Sequence, residues 1–236
     1  MQQSVIPEKC KVLSGSMLKT IALVCMIIDH MAYFFAEKFS MPVFTAGASK
    51  ITAYRLMRWV GRISFPIYCF LLVEGFLHTR DRKRYALRLL VFALISEIPW
   101  NLAHTLKLTY GGQNVFFTLF LGCLAMICIE QFSQDRLKQL ISLIALLVVS
   151  LVLKADYGIT GLCFIIMIYA LREHRVLQAA VGCGMLSSTW IAGLAFIPIN
   201  LYNGERGFIK GRALQYCYYA IYPLHMLLFY FIRRGF

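Results

Sequence analysis

The chain has 236 residues, 60% of them hydrophobic and only 15% charged, with a formal net charge of +13. A soluble globular domain carries about a quarter charged residues, so the composition excludes that class. Apolar runs of about twenty residues recur from end to end, the length that crosses a bilayer as a helix, and the short alternating segments of a membrane β-barrel are missing. The excess positive charge then has anionic lipid headgroups as its default partner rather than nucleic acid.

In chain order, the pattern predicts an all-α polytopic membrane bundle of about eight transmembrane helices, with seven to nine as the bounds. It reads as one domain over residues 1–236, with no internal repeat, long linker or low-complexity tract. The first helix covers 17–36. Lys9, Lys11 and Lys19 precede its apolar stretch as they would in a signal peptide. The run is too long for that, holds Asp29 and His30, and lacks a small-residue cleavage site, so it reads as a retained helix. Residues 43–58 mix Phe44, Ile51, Tyr54, Leu56 and Met57 with basic residues, as an interfacial helix does. Further spans follow at 59–78, 84–106, 113–132, 136–153 and 158–171, the last one short. The segment 176–199 carries Gly, Ser and Pro in its second half, so it is either one span or broken and re-entrant. The last helix covers 213–232. Cys25, Cys69, Cys123, Cys128, Cys163, Cys183 and Cys217 lie inside apolar segments. With no C-x-x-C or Cys/His cluster they read as reduced, buried hydrophobes, and no metal site is predicted.

The lysines and arginines orient the bundle. With both termini in the cytoplasm and the protein in the cytoplasmic (inner) membrane, the cytoplasmic segments hold Lys9, Lys11 and Lys19, the dense run "HTRDRKRYALR", Arg136 and Lys138, Arg172 and Arg175, and Arg233 and Arg234. Two basic regions fall on the external side in this scheme. One is 37–58; the other is "GERGFIKGR", with Arg206 and Lys210, which turns cytoplasmic only if the seventh helix turns back.

A charge at the bilayer centre costs at least about 2.5–3.5 kcal/mol, so ionisable residues inside spans mark candidate functional positions. His30, Arg62, Glu97 and His225 are predicted to share a slab near or just outside the midplane, with Glu74 deeper toward the cytoplasm. Structural ion pairs, for instance Asp29 or Glu97 with Arg62, are the competing explanation for any single member. Helix association alone needs fewer such groups, because small residues usually suffice. Asp29 and His30 are neighbours pointing about 100° apart, so each must address a different partner. Lys19 and His30 differ by eleven positions, which is three turns plus about 20°, so they share a face about 16 Å apart along the axis. A cation at the mouth and an imidazole deep on one line suits a long ligand with an anionic head and a reactive tail. A snorkelling lysine is the commoner meaning of that spacing.

The segments "LKTIALVCMIIDHMAYFF", "RWVGRISFPIYCFLLVEGFLHTRDRKRYALRLLVFALISEIPW", "QNVFFTLFLG", "DYGITG" and "YYAIYPLHMLL" resemble, in order and over nearly the whole chain, the TraX family, named for a conjugative-plasmid protein that acetylates pilin. Lys19-x10-His30 is more distantly similar to the Arg/Lys-x10-His signature of transmembrane acyltransferases. That wider group includes surface-polysaccharide O-acetyltransferases and the lysosomal heparan-glucosamine acetyltransferase. The resemblance implies transfer from acetyl-CoA, or another acyl-CoA, to an amine or hydroxyl of a peptide, lipid or glycan, at a membrane-embedded site centred on His30. The pilin substrate itself does not carry over.

The residues suit that chemistry. His30 can serve as general base, with Asp29 or Glu97 setting its tautomer or charge and Arg62 stabilising the developing oxyanion. Lys19, Arg80, Arg82, Lys83 and Arg84 are candidates for CoA phosphates, while each loop cation is also explained by membrane orientation alone. Asn114, Tyr157, Tyr222 and His225 fall in the resembling segments and, with Glu74, are candidates for lining the pocket. Direct transfer and an acetyl-histidine intermediate are both open. The rival reading is a proton-coupled transporter or assembly factor using the same Asp/Glu/His residues.

Overall fold

The computed structural model describes residues 7–46, 49–109 and 111–235 and is 75% helical. The chain packs as two compact units. One comprises the residues up to Leu71 together with His174–Gly211, the other Leu72–Glu173 together with the residues from Arg212 onward.

In the first unit, α1 (Gly15–Phe34) begins where the Ser14 hydroxyl accepts the Met17 amide at 3.4 Å, a serine N-cap. The predicted interfacial helix at 43–58 is not formed over most of its length. Strands β1 (Pro42–Ala46) and β2 (Ser49–Thr52) pair antiparallel there, with an irregularity between Pro42 and Phe44. Val43, Phe44, Thr45, Ile51 and Thr52 explain the change, since β-branched and aromatic residues favour strands. Thr52 then caps α2 (Ala53–Gly61) by accepting the Arg55 amide at 3.2 Å. α3 (Ser64–Leu77) follows after Arg62 and Ile63, so the span predicted at 59–78 starts earlier and is interrupted at Arg62. α2 packs along α1, and the Ser64 hydroxyl donates to the Ala22 carbonyl at 2.8 Å.

The segment 176–199 is broken. α8 (Arg175–Met185) gives way to a 3-10 stretch, Ser187–Ala195, with a non-helical Thr189, and then to the short α9 (Phe196–Asn200). Gly182 and Gly184 weaken the helix just before the break. The 3-10 stretch turns back on α8 so closely that a Cβ on Gly193 would meet the Cys183 sulfur at 2.9 Å.

In the second unit, α4 (Arg82–Thr105) packs against α5 (Val115–Gln131) and α10 (Arg212–Arg234), and α5 packs against α6 (Arg136–Val152) and α7 (Gly158–Ala170). Asp81, Asn114 and Asp135 cap α4, α5 and α6 by accepting the amides of Arg84, Phe116 and Lys138. α5 and α7 touch through Gly122, where an added Cβ would lie 2.5 Å from the Ile165 Cδ1. Small residues at such contacts let apolar helices approach closely. Leu121, Ala125 and Leu162 form a buried centre there, surrounded by Leu124, Leu143, Leu147 and Ile166.

Among the described residues, three helical stretches are long and apolar enough to cross a membrane: Gly15–Phe34, Ala53–Leu77 taken through the turn at Arg62 and Ile63, and Arg82–Thr105. Val115–Gln131 and Gly158–Ala170 are apolar but shorter. This is a helical protein of membrane type, and three full-length spans rather than eight meet the criterion directly.

Candidate functional site

His30, Asp29, Arg62 and Lys19 belong to the first unit. Asp29 finds its partner on α2. Its Oδ2 accepts from Arg58 Nη1 at 2.5 Å, with both side chains largely buried. The Arg58 guanidinium also lies over the Tyr33 ring at 5.3 Å, so Asp29 and Tyr33, one turn apart on α1, grip it together. Arg62, at the α2–α3 break, is the second cation whose field reaches Asp29. The grip requires Gly61: a Cβ at that position would fall on the Asp29 side chain. Asp29 is thus committed to Arg58 through Oδ2 rather than to His30, and its buried Oδ1 has no hydrogen-bond partner among the described residues. His30 is half-buried, with the Phe34 ring 6.2 Å from its own on the same helix face.

The other end of α1 is closed by the segment after α9. The Gly15 and Ser16 amides donate to the Glu205 and Arg206 carbonyls at 2.8 and 2.9 Å, and the Ser16 hydroxyl donates to the Arg206 carbonyl at 2.6 Å. The Ile209 amide donates to the Ser16 hydroxyl at 2.7 Å. Leu13 and Tyr202 form a short parallel bridge. Gly207 has φ +80°, and a Cβ there would strike Ser14 and Ser16. Residues 201–209 therefore lie at the same end of α1 as Lys19, the arrangement expected of this loop if the seventh segment turns back. The broken seventh segment is the physical reason. Lys19 is half-buried and within electrostatic range of Arg206.

Glu97, Glu74, Asn114, Tyr157, Tyr222 and His225 belong to the second unit, as do Arg80, Arg82, Lys83 and Arg84. Several of these converge. Asn114 is fully buried; its Nδ2 donates to Glu97 Oε2 at 2.9 Å and to the Ala93 carbonyl at 2.8 Å, while its Oδ1 caps α5. The Gln113 amide, oriented so that its nitrogen meets the acceptors, donates to both Glu97 oxygens at 3.2 and 3.1 Å. Gln113 also joins Ala155 in a parallel bridge, and its carbonyl accepts the Asp156 amide at 3.0 Å. That contact sets down Asp156 and Tyr157, the latter in a left-handed conformation (φ +62°) as α7 begins. Glu97, Asp156 and Tyr157 all lie within electrostatic range of the Tyr222 hydroxyl, and the His225 ring packs edge-on to Tyr222 at 5.6 Å. Glu97 is a carboxylate held by neutral amides and bordered by a phenol, with no cation paired to it among the described residues.

The basic run is partly spent. Arg82 is paired with Glu130, which also accepts from the Tyr169 hydroxyl at 3.0 Å, and Arg84 is paired with Asp81 at 2.9 Å. Arg80 and Lys83 are exposed. Glu74 faces His78, one turn on, at 3.9 Å. Among the described residues no group of His, Cys, Asp and Glu is arranged to hold a metal. Arg58, Gly61, Gln113, Asp156 and Arg206 are the residues that sequence reading left without a role. Only their position inside the quoted segments, or beside Asn114 and Tyr157, pointed to them.

The comparisons with known proteins agree with one another. No solved structure matches the chain. A probable fimbrial assembly protein, FimC of serogroup H1 from Dichelobacter nodosus, is 29% identical over an alignment of 245 positions that covers 91% of this chain and 93% of that protein. The model of the TraX protein family matches residues 14–233, from the α1 cap to the end of α10. The chain belongs to the TraX family.

Proposed function

We propose that this protein is a membrane-embedded acyltransferase of the cytoplasmic membrane, with both termini in the cytoplasm. It moves an acetyl or other short acyl group from cytoplasmic acyl-CoA to an amine or hydroxyl of a membrane-associated or extracytoplasmic acceptor. The observation that carries the reading is the α1 helix: Lys19 at its closed end and His30 three turns deeper on one face. The family's link to pilin acetylation supports the chemistry.

In that reaction His30 takes the proton from the acceptor N–H or O–H as its lone pair attacks the thioester carbonyl. The carbon–sulfur bond then breaks, the acyl group stays on the acceptor, and the proton passes from the imidazolium to the leaving thiolate. If the imidazole attacks first, the acyl group rests on His30 before the acceptor takes it. Arg62, at the helix break, is the proposed partner of the oxyanion. Asp29, engaged by Arg58, acts by fixing α1 against α2 rather than as the base's hydrogen-bond partner. Glu97 in its amide setting is a second candidate base, and Asn114, Tyr157, Tyr222 and His225 line its surroundings. Lys19 holds phosphate; Arg80 and Lys83 remain further candidates.

The relative's name makes a surface-fibre subunit the first acceptor to examine. It also favours a second reading, assembly without group transfer. Mass spectrometry of fibre subunits, lipids and glycans from cells carrying the wild-type gene, no gene, or His30→Ala separates the two. An acetyl difference of 42 Da per site is about what acetylation adds, and it is expected only with the wild-type gene. Identical masses in all three, with defective fibres in the deletion alone, would replace the enzyme by the assembly factor.

A further inference from the structure

The start of α1 brings Arg206, from a distant part of the chain, to the end of the helix that carries Lys19. Ser16 and Lys19 are three residues apart, hence on one helix face. Ser16 grips the Arg206 backbone through both its amide and its hydroxyl, so Arg206 is anchored about one turn from Lys19. The anchoring is strict: Gly207 must adopt φ +80° with no side chain, and Ser14 and Ser16 are both buried. The Gly15 and Ser16 amides are already taken by carbonyls, so the helix terminus itself offers no donors for a ligand. What it offers is side-chain charge. Lys19 is half-buried, and among the described residues no carboxylate pairs with Lys19 or Arg206. Lys210 adds a third, exposed cation three residues after Gly207. Arg206 is exposed, so solvent screens its repulsion with Lys19, and the two cations at one end of α1 present a phosphate with two charges from separate parts of the chain.

We infer that Lys19 and Arg206 together form a phosphate-binding site, built by locking the 201–209 segment onto the start of α1. The ligand class is a phosphate ester. On the acyltransferase reading, on which this assignment of the ligand rests, it is the phosphate-bearing end of acyl-CoA; the other source of the same chemistry is an anionic lipid headgroup. Arg206, 187 positions from Lys19 in the chain, is thereby a cofactor-binding residue that no motif spacing identifies.

The test measures CoA binding to the purified full-length protein in zwitterionic nanodiscs, for wild type, Lys19→Gln, Arg206→Gln and, as control, Lys138→Gln, whose partner is Asp135. A charge-assisted contact to phosphate predicts that Lys19→Gln and Arg206→Gln each weaken CoA about tenfold or more, while Lys138→Gln does not. Acetyl-pantetheine, which lacks the nucleotide phosphates, should be bound equally by all four. Wild-type binding of CoA that Arg206→Gln leaves unchanged overturns the site while sparing the acyltransferase reading. If wild type binds no CoA, that reading falls, and the site is then judged by anionic lipid retained from the native membrane. Loss of that lipid in both variants keeps the site with a headgroup as its ligand, whereas equal retention removes it.

Discussion

Asp29 shows why a residue's chemistry is not settled by its neighbours in sequence. Beside His30 in the chain it suggests a dyad, but the helix turns it toward α2, where it meets Arg58. The sequence disclosed that Asp29 needed a separate partner. It did not disclose which, because Arg58 and Arg62 lie one turn apart and either suits. Breaking a largely buried pair strands one charge, so Arg58→Ala is expected to cost about 2–4 kcal/mol, and the double variant Asp29→Asn/Arg58→Gln distinctly less. Thermal unfolding of the three proteins in one detergent reads that difference; equal melting of wild type and Arg58→Ala would remove the pair from the account. Gly61→Ala should resemble Arg58→Ala, since its methyl takes the place of the Asp29 side chain.

At the scale of elements, the apolar runs made the long helices legible, because a continuous run of that length admits little else. What stayed hidden was set by local chemistry that competes with the run: the β-branched stretch that became a hairpin, and the Gly-weakened seventh segment that folds back. Gly122 is informative in the same way, since only the packed structure shows α7 pressed on it. Gly122→Val is expected to lower the unfolding free energy by about 1–3 kcal/mol through overpacking against Ile165, with Gly184→Val, which has nothing within reach of a Cβ, as the tolerant comparison. Asp135 gives an element-scale pH effect. Hydrogen bonds from the Lys138 backbone and ammonium hold its carboxyl below the ordinary range. A carboxylate lowered on folding stabilises above its unfolded pKa, and that contribution disappears as pH falls through the folded value. The melting difference between wild type and Asp135→Ala should therefore be largest near neutrality and shrink in acid; a difference that grows on acidification would contradict this.

For the whole molecule, the family model spans the chain from the α1 cap to the end of α10, in keeping with motifs that are scattered in sequence yet gathered in the fold. "EIPW", "QNVFF", "DYG" and "YPLH" meet around Glu97 and Tyr222 within one unit. The sequence held these motifs, but their convergence depends on the Gln113–Ala155 bridge, a backbone contact with no side-chain signature. Which end of α1 the 201–209 segment joins was beyond charge counting for a similar reason, as backbone hydrogen bonds decide it. Exposed Cys10 and a Lys210→Cys substitute should therefore react with an impermeant thiol reagent from the same side of sealed vesicles. Reaction from opposite sides would disprove the closure of α1. The central claim, that His30 performs acyl transfer, is tested most directly by incubating the purified protein with radiolabelled acetyl-CoA and membranes from a strain lacking the gene. The account predicts label entering a membrane acceptor with wild type and none with His30→Ala, at matched melting temperatures. Undiminished transfer by His30→Ala would contradict it.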